Sequence, residues 1–221
     1  KYLGGNMNSD YKIKQITSLY NSCNKCGLPI LNCICSAAPK IKTNSKIWIL
    51  STEKEFYRPS NTARLLKLIN PHSTEIFLWE RTIIPEKLIA NLNNNIYEPF
   101  LLFPIKNNET KCPKFECISK GKIPAFIIID GTWKEARKIL RKSSYLENLP
   151  IISLEPNFKS IYDLRGGAKE GNLCTIEAAI EVLNISGDDK YSQTISDFYN
   201  LFLKSYKAGL SGHKLITYNK N

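Results

Sequence analysis

An α/β fold, a mostly parallel sheet with flanking helices, is predicted by two features of the chain. From residue 46 onward, short apolar runs of strand length alternate with segments of helical period. Those runs are apolar almost throughout, as strands buried on both faces are. With 221 residues and 43% hydrophobic content, the chain has enough apolar surface for one ordinary core and a small appendage. The five strand candidates are Lys46 to Leu50, Glu75 to Trp79, Phe100 to Phe103, Ala125 to Ile129 and Ile151 to Leu154.

Between them, Asn61 to Ile69 reads as a helix: Ser60 or Asn61 caps it, Leu65, Leu66, Leu68 and Ile69 supply a buried face, and Pro71 stops it. Pro85 opens the next, to about Leu92, from the favoured first-turn position. Thr132 to about Lys142 carries the strongest helix signal, a Thr132-x-x-Glu135 capping box. Three- and four-residue spacing puts Trp133, Ala136, Ile139 and Leu140 on one side of it and leaves Lys134, Arg137, Lys138 and Arg141 over much of the rest. Thr175 to Leu183 and Tyr191 to Tyr206 complete the set, the latter with Ile195, Phe198 and Phe202 facing inward. Asn107 to Lys122, with Cys112 and Cys117, reads as an insertion or loop, and no internal repeat is evident. The expected organisation is a flexible N-terminal segment (1–19), a cysteine knuckle (20–40), a catalytic domain (45–210) and a basic C-terminal tail (211–221).

Charge narrows the partners. Lys and Arg number 31 against 20 Asp and Glu, a net charge of +11, which concentrates polyanions and hinders self-association. Abundant Lys, Asn and Ile point to a low-GC genome, so part of that charge is compositional drift. The longest apolar runs, near 99–105 and 125–129, fall far short of the ~18 residues of a spanning helix. A soluble protein with no membrane association and no obligate protein partner is expected. Two histidines, His72 and His213, are too few and too far apart to suggest a catalytic metal site.

Four of the seven cysteines crowd into positions 23–35, which reads as metal ligation in a reducing compartment, the cytoplasm or an organelle matrix, rather than a secreted disulfide framework. Cys23-x-x-Cys26 and Cys33-x-Cys35, joined through Gly27 and Pro29, give four thiolates suited to one tetrahedral zinc. Free buried thiols or a redox pair are the competing readings, and neither accounts for all four. Four protein ligands leave no open position, so the zinc is expected to be structural.

Asp130-Gly131-Thr132-Trp133 follows the apolar run 125–129, which puts a carboxylate at the carboxyl end of a buried strand, where open α/β sheets bind ligands. Thr132 serves equally as a cap, Gly131 as a turn and Trp133 as core filler. Asp130 is harder to dismiss, because a carboxylate leaving an apolar run must be paired, hydrogen-bonded or functional.

These residues carry a resemblance that extends from about Cys23 to Leu183. Asp130-x-Thr132-Trp133, the cysteine set, Arg58-Pro59-Ser60-Asn61-Thr62, Leu101-Leu102-Phe103-Pro104, Ser160-x-Tyr162-x-Leu164-Arg165 and Leu173-Cys174-Thr175-x-Glu177-Ala178 occur in the order of family blocks. Together they resemble the DTW-domain family, similar to the tRNA-uridine aminocarboxypropyltransferases, whose fold is related to the SPOUT-type trefoil-knotted methyltransferases. Two positions depart from the pattern: Ser51-Thr52 stands where His-Pro is expected, and Cys174 where a serine is usual.

The resemblance implies a SPOUT-like knotted core and transfer of the 3-amino-3-carboxypropyl group of S-adenosylmethionine to N3 of a uridine in tRNA, releasing methylthioadenosine. It makes Asp130 the candidate general base, with cofactor binding or loop holding as the alternative, and places Thr132 and Trp133 in the catalytic motif. The cofactor pocket is expected from Phe103 and Pro104, Asp130 and Gly131, and the stretch from Leu154 through Leu173 to Thr175 and Glu177. Arg58, Asn61, Thr62 and Arg165 are expected to meet the transferred carboxylate or a phosphate. Lys134, Arg137 and Arg141 offer tRNA a cationic face, with Lys204, Lys207, Lys214 and Lys220 beyond it. A looped-out base requires stacking or edge contacts, for which Tyr57 and Tyr162 are candidates. The rival readings are a SPOUT-like RNA methyltransferase and a non-catalytic zinc-containing RNA-binding protein.

Overall fold

The computed structural model describes residues 20–104, 121–154 and 173–215. Five strands, β1 (Lys46–Ser51), β2 (Thr74–Leu78), β3 (Tyr97–Leu102), β4 (Ile123–Asp130) and β5 (Ile151–Ile152), form one sheet in the order β2-β1-β4-β3-β5. Every pairing among them is parallel. Among the described residues, six α-helices accompany it: α1 (Glu53–Phe56), α2 (Ala63–Ile69), α3 (Glu86–Leu92), α4 (Trp133–Arg141), α5 (Thr175–Ile185) and α6 (Ser192–Leu210).

Period-two alternation divides the strand side chains between two cores. Ile47, Ile49, Phe126, Ile128 and Ile152 pack with α2, α5 and α6 on one face. Trp48, Leu50, Phe77, Leu101 and Ile127 pack with α3 and α4 on the other. The sheet is thus covered on both sides, which is why its strands lack polar alternation. The same parity decides the site: Ser51 and Asp130 continue the Ile47–Ile49 and Phe126–Ile128 series, so both turn toward the α2 and α5 face.

All five expected strands are present, with ends shifted by up to three residues. The helices differ more. α2 begins at Ala63 with Thr62 at its cap position, and the side-chain bond expected of a cap comes from Asn61, whose Oδ1 accepts from the Arg64 amide at 3.3 Å. Pro85 occupies the cap position of α3 rather than its first turn. α6 continues to Leu210, its inward row extended by Tyr206 and Gly209. The four-residue α1, capped by Thr52 accepting from the Glu55 amide at 3.3 Å, is unanticipated. Leu140 and Trp133 are half-buried, so the inner face of α4 is carried mainly by Ala136 and Ile139.

The knuckle is bound to the end of α6. Asn32 donates to the His213 carbonyl and accepts from the Leu215 amide, both at 2.8 Å. A Cβ on Gly209 would stand 3.0 Å from Pro29 Cγ, so glycine lets the helix come close. No described helix is long and apolar enough to cross a membrane. The path of residues 155–172, on which the expected knot turns, lies outside the described residues, as do the 1–19 segment, Cys112, Cys117, Tyr162, Arg165 and Lys220.

Candidate active site and cysteine cluster

Adjacent strands β1 and β4 lead to helices on opposite faces, α2 and α4, which opens a crevice at their carboxyl ends. Ser51 and Asp130 are register partners at that point. Asp130 is 4% exposed and its carboxylate accepts three hydrogen bonds. Ser51 Oγ donates to Oδ2 at 2.8 Å, Asn61 Nδ2 to Oδ2 at 2.7 Å, and Thr175 Oγ1 to Oδ1 at 2.5 Å. One carboxylate thus joins the end of β1, the loop before α2 and the first residue of α5. Thr62 extends the junction, its hydroxyl accepting from the Ile176 amide at 3.3 Å.

This geometry turns several expected ligand contacts inward. Asn61 and Thr62, expected to meet substrate, are 0% and 3% exposed and serve the Asp130 junction. Glu177, expected at the cofactor, is 2% exposed and accepts from the Cys174 amide at 2.9 Å, capping α5. Thr132 is committed to the capping box: its amide and Oγ1 donate to Glu135 Oε2 at 2.8 and 2.7 Å, and Oγ1 accepts from the Glu135 amide at 3.3 Å. Burial raises the Glu135 pKa, but the Thr132 bonds and the nearby charges of Arg58 and Lys54 hold it below the usual value. Gly131 has φ +155°, and a Cβ there would meet Glu135 Cβ at 3.2 Å, so the tight entry to α4 needs glycine.

Other expected residues line the open side. Phe103 is half-buried and meets Trp133 edge to face at 6.0 Å, with Pro104 exposed beside it. Leu154 and Leu173 are half-buried on the strands' carboxyl side. Arg58 is partly exposed and pairs with Glu55 at 3.2 Å. Lys134, Arg137 and Arg141 are exposed on α4. Tyr57 packs edge to face on Phe56 at 5.2 Å and joins the core. On the opposite flank, a hollow of about 480 Å³ is lined by Thr52, Glu53, Lys54, Leu78, Trp79, Glu80 and Arg81.

The sequence reading missed Arg64. Its side chain is 4% exposed, Nη2 donates to the carbonyls of Phe56 and of Arg58 (3.0 Å for the latter), and its guanidinium lies 5.4 Å from the Phe56 ring centre. Burial lowers its pKa to about 10, with Asp130, Cys26 and Cys23 pulling the other way, so the cation persists at neutral pH.

The four cysteine sulfurs all lie within 4.8 Å of one another. Cys23 and Cys35 are 3.7 Å apart and Cys26 and Cys33 3.8 Å, far beyond a disulfide bond of ~2.05 Å. Thiolates about 2.3 Å from a central tetrahedral ion stand roughly 3.8 Å apart, so the cluster is compatible with a metal such as zinc. Burial raises the Cys23 pKa, but amides of Cys26 and Lys25 and the neighbouring thiols outweigh it and bring it down to about 7. Burial pushes Cys26 up to about 12 and raises Cys35 as well. Such a set becomes fully anionic only around a cation.

Among known proteins, the chain is similar to "tRNA-uridine aminocarboxypropyltransferase 2" of Drosophila melanogaster, 29% identical over 170 residues. The aligned region covers 75% of this chain and 66% of the relative, so the chain spans just under two thirds of that protein's length. No solved structure matches the chain. The DTW domain, in contrast, matches residues 20–207, from the cysteine cluster through the Asp130 junction into α6, and the chain belongs to the DTW domain family.

Proposed function

We propose that this protein is a tRNA-uridine aminocarboxypropyltransferase that moves the 3-amino-3-carboxypropyl group of S-adenosylmethionine to N3 of a tRNA uridine. The observation that carries the reading is the Asp130 junction: the family motif stands at the crevice between β1 and β4, where an α/β sheet receives its ligand. The similarity to the Drosophila enzyme supports the reaction class.

The residues present suit that cofactor. The half-buried Phe103–Trp133 pair offers an apolar wall for adenine, and Leu154 and Leu173 extend it. Lys54 in α1 and Arg58 just beyond it supply positive charge for the carboxylate of the transferred arm. S-adenosylmethionine bound there would supply a sulfonium leaving group, so that the N3–C bond would form as the C–S bond breaks, with methylthioadenosine leaving and the N3 proton passing to solvent. What the protein adds is orientation, because the same cofactor can give its methyl instead.

Asp130 acts here by holding the loops rather than as a general base. Its two oxygens already receive three donors and almost no surface is open to substrate. The hollow at Lys54, Trp79 and Arg81 is the approach for the extruded uridine, with the cationic face of α4 gripping adjacent phosphates. The cysteine cluster holds structural zinc, since all four ligand positions are filled by protein, and it fastens the N-terminal region to α6.

The deciding experiment incubates the purified protein with bulk tRNA and cofactor labelled separately in the methyl and aminocarboxypropyl groups, followed by nucleoside mass analysis. Uridine carrying the aminocarboxypropyl mass and its label is expected. A methyl adduct would establish the knotted-methyltransferase alternative, and cofactor binding without any uridine adduct would defeat the transferase reading.

A further inference from the structure

Among the described residues, Arg64 is the only buried cation, and no carboxylate forms an ion pair with it. A buried charge persists only where its surroundings compensate it. Part of the compensation is local: two backbone carbonyls and the face of Phe56. Those contacts leave Nε without a hydrogen-bond partner among the described residues. The rest lies on either side. Asp130 attracts the guanidinium from the sheet, and Cys26 and Cys23 attract it from the knuckle. Contact with the knuckle is close, since a Cβ on Gly27 would stand 3.2 Å from Arg64 Nη1. Gly27 follows Cys26 directly, at φ +83°, and its amide closes the turn onto the Cys23 carbonyl at 2.8 Å.

We propose that Arg64 is a positioning residue that couples the cysteine cluster to the Asp130 crevice. Its guanidinium balances the excess negative charge of four thiolates around a divalent ion. Through the carbonyls of Phe56 and Arg58 it also fixes the loop that presents Arg58 to the crevice and Asn61 to Asp130. Metal in the knuckle therefore orders residues 55–62, although no cysteine reaches the reaction. The proposal rests on reading the cluster as a zinc site.

Arg64→Lys tests it, because lysine keeps the charge but cannot bridge two carbonyls with a planar fork. Three measurements are made on the full chain: zinc content, zinc release to a chromogenic chelator, and amide hydrogen exchange of 55–62 before and after chelation. Wild-type protein is expected to hold one zinc and to exchange faster at 55–62 when it is removed, while β3 stays protected. Arg64→Lys should retain stoichiometric zinc but release it about 10-fold faster, the scale of outer-shell effects on metal affinity. Its 55–62 segment should already exchange fast, with no further rise on chelation. Zinc-replete wild-type protein whose loop ignores chelation would overturn the coupling alone, whether or not the variant folds. Equal release rates in a folded variant would do the same. Wild-type protein that purifies without zinc and cannot be loaded would overturn the cluster reading with it, and the metal content tells the cases apart.

Discussion

Ser51 and Asp130 meet because they are register partners in adjacent parallel strands and share the parity that points to the α2 and α5 face. Ser51 is also a departure from the family pattern, and its hydroxyl contributes one of the three bonds that hold the carboxylate. Asp130→Ala would leave Ser51, Asn61 and Thr175 with buried donors, each costing about 1–3 kcal/mol when unsatisfied. A loss of roughly 3–5 kcal/mol is therefore expected in denaturant melts, allowing for relaxation. Asp130→Asn keeps the shape: its oxygen in the Oδ2 place still accepts from Ser51 and Asn61, and the Thr175 hydroxyl can rotate to accept from its amide, so about 1 kcal/mol is expected together with partial transferase activity. If both variants lost turnover equally while Asp130→Asn bound cofactor normally, the carboxylate would be a base and not a clamp. Asp130 was readable in the sequence because a carboxylate ending an apolar run is unusual. Arg64 was not, because a single arginine in a short helix is ordinarily solvated, and only the packing of the knuckle over α2 buries it.

Helix starts build the rest of the site. The Thr132 capping box orders the entry to α4 through three short bonds with Glu135. At α5, Cys174 and Glu177 build the same device with a sulfur in place of the hydroxyl: the Glu177 carboxylate accepts from the Cys174 amide, the Cys174 sulfur accepts from the Glu177 amide, and the thiol also lies 3.3 Å from Tyr199 Oη. Thr132→Ala should lower stability by about 1 kcal/mol, and Cys174→Ser should raise it by up to about 1 kcal/mol by exchanging a weak sulfur acceptor for a cap oxygen. Opposite shifts in thermal midpoint check both at once, and a Cys174→Ser variant that melts earlier would show that the thiol's contact with Tyr199 matters more than the cap. Elements with strong local signals were the ones anticipated: strands buried on both faces, and α4 with its box and two-sided pattern. α1 is too short to display a helical period. α2 starts two residues later than expected, yet Asn61 does what its local pattern suggests: its Oδ1 accepts from the Arg64 amide, while its Nδ2 reaches Asp130, a long-range contact that no local signal displays.

Across the whole molecule, the cysteine cluster and the cationic helix lie on opposite sides of the sheet. The cluster packs with α2, α5 and α6, whereas α4 packs against β4 on the other face. That separation assigns the two features different tasks: the first closes the N-terminal region onto α6 and tethers 213–215, and the second presents Lys134, Arg137 and Arg141 beside the crevice. Neutralising these three as Lys134→Gln, Arg137→Gln and Arg141→Gln touches exposed positions, so stability should change by no more than about 0.5 kcal/mol per site. If each side chain releases one counterion from tRNA, the slope of log affinity against log salt should flatten by about 2 to 3. Sequence preference among tRNAs should stay unchanged, because phosphate contacts position without reading bases. Binding measured at several salt concentrations separates this from a knuckle-centred grip. An unchanged slope, with wild-type melting, would move the RNA to the α6 side, where Lys204, Lys207 and Lys214 are among the exposed cations.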